Sequence, residues 1–352
     1  MSNVFVLIPA HNEEDSIAST LISLRDQTHP IARILVVSDN STDRTVEIVK
    51  SLGVDVMESV DNPHMKAGAL NQGLTRLLRT AYEDDFVLIM DADSHLVPGF
   101  IDEALEAIRD IEVGAVCAVF AGETDRGGVI HAVQRAEYAR FERSITRRGS
   151  KAHVLSGVAT LFPVPVLFEI LAARKSGFLP PAPGIYDVTA ATEDIEMTYA
   201  VRRLGYRPLA PEGCKAYTDT MSDWTALARQ RIRWQRGMLD ALRLYGVNRQ
   251  TFPYVVRLLA MYLGSMMAPL YLALLTWTYL SVGHIGYEPR WLAIIPFFCF
   301  ERWWTIRRLG RVERVMAVLL IPEWIYDNFR AAVYWFALYQ WTRRTARVWV
   351  PT

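Results

Sequence analysis

Between Arg257 and Glu288 the chain runs for 30 residues without a single Asp, Glu, Lys or Arg. The centre of the run, Leu258–Val282, is apolar apart from small and hydroxyl residues. A helix needs about 20 such residues to cross the hydrocarbon core of a bilayer, and a globular core rarely calls for so long a stretch. We therefore read about 258–282 as a transmembrane helix. A net charge of +0 over 352 residues hides the same division. From residue 250 onward there are 11 Arg, no Lys and 5 acids, whereas residues 1–249 carry 27 Lys and Arg against 33 Asp and Glu. The chain is expected to consist of a domain over 1–249 and a membrane-associated region over 250–352.

Two weaker segments follow the long run. Residues 291–306 are apolar as far as Phe300 and then meet Glu301 and Arg302, which suggests a short second span or a re-entrant piece. Residues 315–341 are apolar but carry Glu323, Asp327 and Arg330 at spacings of four and three, on one helical face. That pattern predicts an amphipathic helix lying in the membrane interface. Arg302, Arg307, Arg308, Arg311 and Arg314 read as a basic loop, and Arg343, Arg344 and Arg347 as a second cluster. The positive-inside rule puts both, and with them the N-terminal domain, on the cytoplasmic face. The three cysteines, Cys117, Cys214 and Cys299, form no CxxC pair, which argues against a disulfide framework or a structural zinc and fits a reducing compartment. Met1–Ala10 lacks the features of a secretory signal and reads as the start of a strand.

In the N-terminal domain, short apolar runs alternate with helical patterns. Strands are expected at Phe5–Ile8, Arg33–Val37, Val54–Met57 and Phe86–Met90, with helices at Glu13–Leu24, Thr45–Leu52 and Lys66–Leu78. This alternation predicts a mostly parallel sheet with helices on both faces, a Rossmann-like α/β fold. Ligands bind such sheets at the carboxyl ends of the strands, where Pro9–Glu14, Ser38–Asp43 and Asp91–Ser94 all fall. Neither GxGxxG nor GxxxxGK[ST] is present, so the dinucleotide and P-loop fingerprints are absent.

Four groups of residues could carry chemistry. Asp91 and Asp93 stand two apart at a strand end, so their side chains can share a side, as Mg²⁺ or Mn²⁺ ligands beside phosphate oxygens would. A solvated loop pair is the plainer alternative. Asp39 is either a turn-forming acid or an acceptor for a base or ribose. Thr192-Glu193-Asp194 opens a helix, where it is either ordinary capping or a site of a general base. Gln230, Arg233 and Trp234 share one face of a helix over Trp224–Leu244, suited to a diphosphate and a sugar ring, or else to anionic lipid. The net acidity of the domain argues against nucleic acid as a partner.

Seven motifs in order resemble the processive type of family 2 inverting glycosyltransferases of the GT-A fold. They are Pro9-Ala-His-Asn-Glu-Glu14, Val37-Ser-Asp39-Asn-Ser-Thr-Asp43, Lys66-Ala-Gly-Ala-Leu-Asn71, Asp91-Ala-Asp93, Ser156-Gly157, Thr192-Glu-Asp194 and Gln230-Arg-Ile-Arg-Trp234. That group contains the hyaluronan, chitin, cellulose and poly-N-acetylglucosamine synthases; ceramide glucosyltransferases share the motifs. The resemblance implies a membrane enzyme that moves a sugar from a nucleotide sugar, in this group a UDP-sugar, to a saccharide or lipid acceptor. It implies that Pro9, Ala10, Glu13, Asp39, Lys66 and Asp91 hold the nucleotide, that Asp93 with Asp91 binds Mg²⁺ or Mn²⁺, and that Asp194 is the base. It further implies that Gln230 and Arg233 steady the diphosphate, with Ser156, Gly157, Glu193 and Trp234 at the acceptor. Two spans are few for a polymer exporter, so an export partner or homo-oligomer stands beside single-sugar addition to a lipid. A catalytically silent scaffold that binds nucleotide or lipid is the alternative from another class.

Overall fold

The structure is a computed structural model that describes residues 3–123, 127–286, 289–290 and 294–344. It divides into two compact units, Met1–Arg126 with Phe141–Thr220, and Gly127–Arg140 with Met221–Thr352. The expected boundary at residue 249/250 falls inside the second unit.

The first unit is built on a seven-stranded sheet of β1 (Val4–Ala10), β2 (Arg33–Ser38), β3 (Asp55–Glu58), β4 (Phe86–Met90), β6 (Val113–Cys117), β8 (Ala159–Pro163) and β9 (Arg207–Leu209). Their order is β3-β2-β1-β4-β8-β6-β9. All ladders are parallel except those of β8, which runs antiparallel to β4 and β6. Three further strands, β5 (Ser94–Leu96), β7 (Val119–Gly122) and β10 (Lys215–Thr218), make a small second sheet. β1 is buried along its whole length, as a strand covered on both faces must be, which explains its unbroken apolar run.

β1 pairs with β4 only as far as Leu7 and Ile89, while its last three residues, Ile8, Pro9 and Ala10, pair with β2 alone. The ladder therefore opens toward the carboxyl ends, and Pro9, lacking an N–H, sits beyond the last β4 partner. The helices α1 (Ile17–Arg25), α2 (Thr45–Ser51) and α3 (Met65–Leu77) connect the first four strands. α3 lies so close to the sheet that a Cβ on Gly73 would come within 2.5 Å of Leu7 and 2.8 Å of Val37. α1 begins four residues later than the pattern suggests. Residues 13–16 form a turn instead, in which the Glu13 carbonyl accepts from the N–H groups of Ser16 and Ile17. α4 (Phe100–Ile108), α6 (Val164–Lys175) and α7 (Glu193–Arg203) complete the unit, and α5 (Val129–Thr146) contributes its last residues to it.

The second unit holds the rest of α5 and α8 (Trp224–Tyr245), α9 (Phe252–Val282), α10 (Ile294–Thr305), α11 (Arg311–Leu319) and α12 (Ile321–Thr342). Among the described residues one helix, α9, is long and apolar enough to cross a membrane. Its 31 residues leave only Tyr254 and Tyr262 buried. α10 has 12 residues, about 18 Å of helix, and buries none. The start of the expected 291–306 segment, and Arg347, lie outside the described residues.

The single helix expected over 315–341 is instead two. Leu320 adopts φ 58°, and Pro322 begins α12, because a proline ring clashes with a helix continuing from before it. The expected basic loop is also redistributed: Arg302 lies on α10 and pairs with Glu323 at 2.6 Å, while Arg311 and Arg314 belong to α11.

Candidate active site

The site is assembled at the carboxyl ends of the strands. Asp39 follows β2, and its N–H donates to the Ala10 carbonyl at 2.8 Å, which holds the ends of β1 and β2 together. The His11 ring nitrogen Nδ1 lies 2.6 Å from the Asp39 carbonyl. Asp39 Oδ1 accepts three side-chain bonds, from Ser59 at 2.6 Å, Asn62 at 2.8 Å and Asn40 at 3.1 Å. Glu13 accepts the Ser16 hydroxyl at 2.6 Å. Burial, reinforced by Asp93, Asp91 and Asp219 against that hydrogen bond, pushes Glu13 up to about 7.

Lys66, in the first turn of α3, sits 2.7 Å from Asp91 Oδ1 and 2.7 Å from Glu193 Oε1. Burial works to lower the lysine, but Asp91 and Glu193 outweigh it and hold the ammonium well above its usual range. Burial raises Asp91 to about 6 despite Lys66. Asp93 is raised chiefly by burial, with Asp219 adding to it, against a hydrogen bond from the Ser94 hydroxyl at 3.1 Å. A set of crowded, half-buried carboxylate oxygens is the donor chemistry a hard divalent cation uses, and so the pair fits Mg²⁺ or Mn²⁺. Among the described residues no group of three or more His, Cys, Asp or Glu converges on a metal position.

Next to Lys66 a pocket is lined by Ser156, Gly157, Thr160, Tyr186 and Asp194, over a floor of Leu70, Ile89, Phe162 and Met197. Asp194 lies in the first turn of α7. Thr192 occupies the N-cap position, but its side chain makes no capping bond. Thr192 thus does not cap through its side chain, while Glu193 and Asp194 stand in the first turn, where acids suit the helix dipole. Glu193 is committed to Lys66, and the carboxylate of Asp194 faces Gly157 and the pocket.

Several contributors escape a sequence reading. Asn71 places its amide against the Tyr186 backbone, accepting the N–H at 2.9 Å and donating to the carbonyl at 2.9 Å. Arg174 donates to the carbonyls of Ile185 and Pro180 and pairs with Glu196 of α7 at 2.7 Å, both side chains wholly buried. Tyr186 is thereby fixed in the pocket wall, its hydroxyl raised well above the usual range by burial and by Asp194. Asn71 stands in a quoted motif, which was a signal; Arg174 and Tyr186 carried none.

Gln230, Arg233 and Trp234 lie on α8, in the second unit. Gln230 is buried and accepts from Arg231 at 2.9 Å, and the Arg231 guanidinium covers the Trp234 ring at 4.2 Å. Arg231 itself is 1% exposed and paired with Glu137 of α5 at 2.7 Å.

Residues 5–171 match the family model described as Glycosyl transferase family 2. That span, a little under half of the chain, reads as a glycosyl transferase family 2 domain. The strand ends bearing Asp39, Asp91 and Asp93 fall within the matched span of this domain, and Asp194 follows it. The chain is 25% identical over 252 residues to the poly-beta-1,6-N-acetyl-D-glucosamine synthase of Staphylococcus aureus strain MSSA476, covering 69% of this chain and 56% of that protein. It is 23% identical over 297 residues to the synthase of the same name from Staphylococcus epidermidis strain ATCC 35984, covering 82% and 65%. The chain thus spans little more than half to two thirds of the length of these relatives. Among solved structures, the mannosyltransferase PcManGT from Pyrobaculum calidifontis, in complex with GDP-Man and Mn²⁺, superposes with a TM-score of 0.61 at 18% identity, covering 98% of this chain and 88% of that one. The family 2 domain has the GT-A fold.

Proposed function

We propose that this chain is a membrane-associated inverting glycosyltransferase that transfers a sugar from a UDP-sugar to a saccharide or lipid acceptor, forming a β-linkage. One observation carries the reading. Lys66 joins Asp91 to Glu193, the neighbour of Asp194, which supports reading the donor and the base as parts of one site. Resemblance to polysaccharide synthases supports the reaction class.

In this mechanism Asp194 takes the proton of the acceptor hydroxyl as that oxygen attacks C1 of the donor sugar. The C1–O bond to the nucleotide diphosphate breaks on the opposite face, which inverts the anomeric centre. Asp39, with the Pro9–Glu13 loop, holds the base and ribose, and Lys66 offers positive charge near the diphosphate. Asp93 with Asp91 would hold a divalent cation, which offsets the charge that grows on the leaving diphosphate. Gln230 and Arg233 are assigned to the same diphosphate, and Trp234, Ser156, Gly157 and Glu193 to the acceptor, on the strength of the motif resemblance. The membrane location rests on α9, about 46 Å long against a hydrocarbon core of about 30 Å. The first unit is assigned to the cytoplasmic face by the excess of Arg after residue 250.

The test is a panel of labelled nucleotide sugars with the full chain in membranes, followed by sizing and lipid extraction of the product. Metal-dependent release of UDP is expected from at least one donor and should be abolished by Asp194→Asn with donor binding retained. A long water-soluble product means polymer synthesis, and label in the lipid phase means glycolipid synthesis. Release from no donor, or undiminished release by Asp194→Asn, would contradict the reading.

A further inference from the structure

The short loop Leu155–Val158 is tied to two elements of the first unit at once. The Leu155 N–H donates to Thr198 Oγ1 at 2.8 Å, and the same hydroxyl donates to the Asp194 carbonyl at 2.6 Å. Thr198 is completely buried, one turn beyond Asp194 on α7, and its hydroxyl registers the loop against the helix. On the other side, the Val158 carbonyl accepts the Asp91 N–H at 3.2 Å, at the end of β4. Within the loop the Ser156 hydroxyl accepts the Val158 N–H at 3.2 Å, and the Ser156 carbonyl accepts the Thr160 hydroxyl at 2.7 Å. With the backbone held at both ends, Gly157 lies directly against the Asp194 carboxylate. A Cβ at Gly157 would sit 2.7 Å from Oδ2, 3.1 Å from Oδ1 and 3.2 Å from Cγ. Gly157 is not among the glycines with positive φ, so the backbone would accept another residue. What requires glycine here is the space the carboxylate occupies.

We propose that Gly157 and Thr198 are positioning residues for the base: together they form the seat on which the Asp194 carboxylate rests. This rests on the reading of Asp194 as the base. Neither residue takes the proton. Thr198 sets the distance between loop and helix, and the bare Cα of Gly157 lets the carboxylate settle at the height of the acceptor. A methyl group at 157 pushes the carboxylate off its seat by roughly an ångström, and a displacement of that size costs about 100-fold in rate.

The experiment uses the full chain in detergent with a nucleotide sugar that supports turnover. Gly157→Ala is expected to lower kcat about 100-fold, with donor KM within about twofold of the parent and an unchanged melting temperature. Thr198→Val should lower kcat in the same way, and Thr198→Ser, which keeps the hydroxyl, should restore it. A crystal structure of Gly157→Ala should show the Asp194 carboxylate displaced. An unmoved carboxylate, a Gly157→Ala kcat within twofold of the parent, or Thr198→Ser as slow as Thr198→Val would each overturn the proposal. Asp194→Asn in the same assay separates the two ideas. If that variant turns over normally, the base assignment falls and takes the seat with it. If it is inactive while Gly157→Ala is fully active, only the seat is wrong.

Discussion

Asp39 shows how much of a site one residue can announce. A lone acid at the end of an apolar strand could be a turn former, and the sequence leaves both readings open. In the fold, Ser59, Asn62 and Asn40 all donate to the same oxygen, Oδ1. Three bonds on one oxygen orient the carboxylate. Ser59 and Asn62 sit in the loop after β3, 20 and 23 residues away, and no spacing rule connects them to Asp39. If Asp39 holds the nucleoside, Asp39→Asn should weaken UDP binding by about tenfold or more, the worth of one charge-assisted hydrogen bond, read by titration calorimetry. Lys66 is the complementary case. Its charge was plain from the sequence, but its two carboxylate partners come from positions 91 and 193, and only the folded chain brings them within 2.7 Å.

At the scale of elements, strands and helices were legible wherever the period was clean. β4 was expected over Phe86–Met90 and is found there, because an unbroken apolar run bounded by acids has few other uses. The antiparallel β8 and the short strands of the second sheet were not foreseen, since their register depends on pairing with distant strands. The loop from Pro180 to Asp187 has no periodicity at all. It is held by α3 through Asn71 and by α6 through Arg174, whose guanidinium is in turn paired with Glu196 of α7. Asn71→Leu removes both bonds to the buried Tyr186 backbone, and each orphaned group costs about 1–3 kcal/mol. Thermal or urea unfolding should register a loss of about 2 kcal/mol or more, whereas an unchanged midpoint would mean that the loop is held by the arginine alone.

At the scale of the whole molecule, the second unit sets ion pairs beside its buried apolar clusters and exposes much apolar surface. Its buried or partly buried ion pairs join Arg135 to Glu313, Arg140 and Arg302 to Glu323, and Glu137 to Arg231 and Arg330. Its exterior shows Leu259, Leu263, Trp277, Phe297, Trp324 and Phe336. A large exposed apolar surface of this kind suits a lipid environment, in which ions are driven inward to find partners. The polar face of α12 predicted from Glu323 and Arg330 exists, but it faces these partners. Burial would raise Glu137; Arg231 and Arg330 together outweigh it and bring it down from 4.5 to about 2. A depressed carboxylate contributes stability that is complete above its unfolded value and lost as pH falls through the folded one. Melting of the detergent-solubilised chain should therefore decline between about pH 4.5 and 2. Glu137→Gln should destabilise the protein by about 3 kcal/mol near neutral pH and flatten that decline, because it strands the buried guanidinium of Arg231 and weakens the hold on the partly exposed Arg330.

By itself the sequence determined the parallel-dominated sheet, the carboxyl-end clusters and the long apolar helix α9. These are local or periodic properties, written by the solvent each residue must face. Only the tertiary structure decided which charges meet: Lys66 between Asp91 and Glu193, Asp194 on Gly157, and Glu137 between two arginines. Such pairings join positions tens to nearly two hundred residues apart. Their energy comes from distance and burial together, and neither quantity exists until the chain has folded. The zero net charge of the chain says nothing about them. The same 38 acids and 38 bases could be scattered over a solvated surface, and in this fold several are instead locked inside, where partners determine their ionisation.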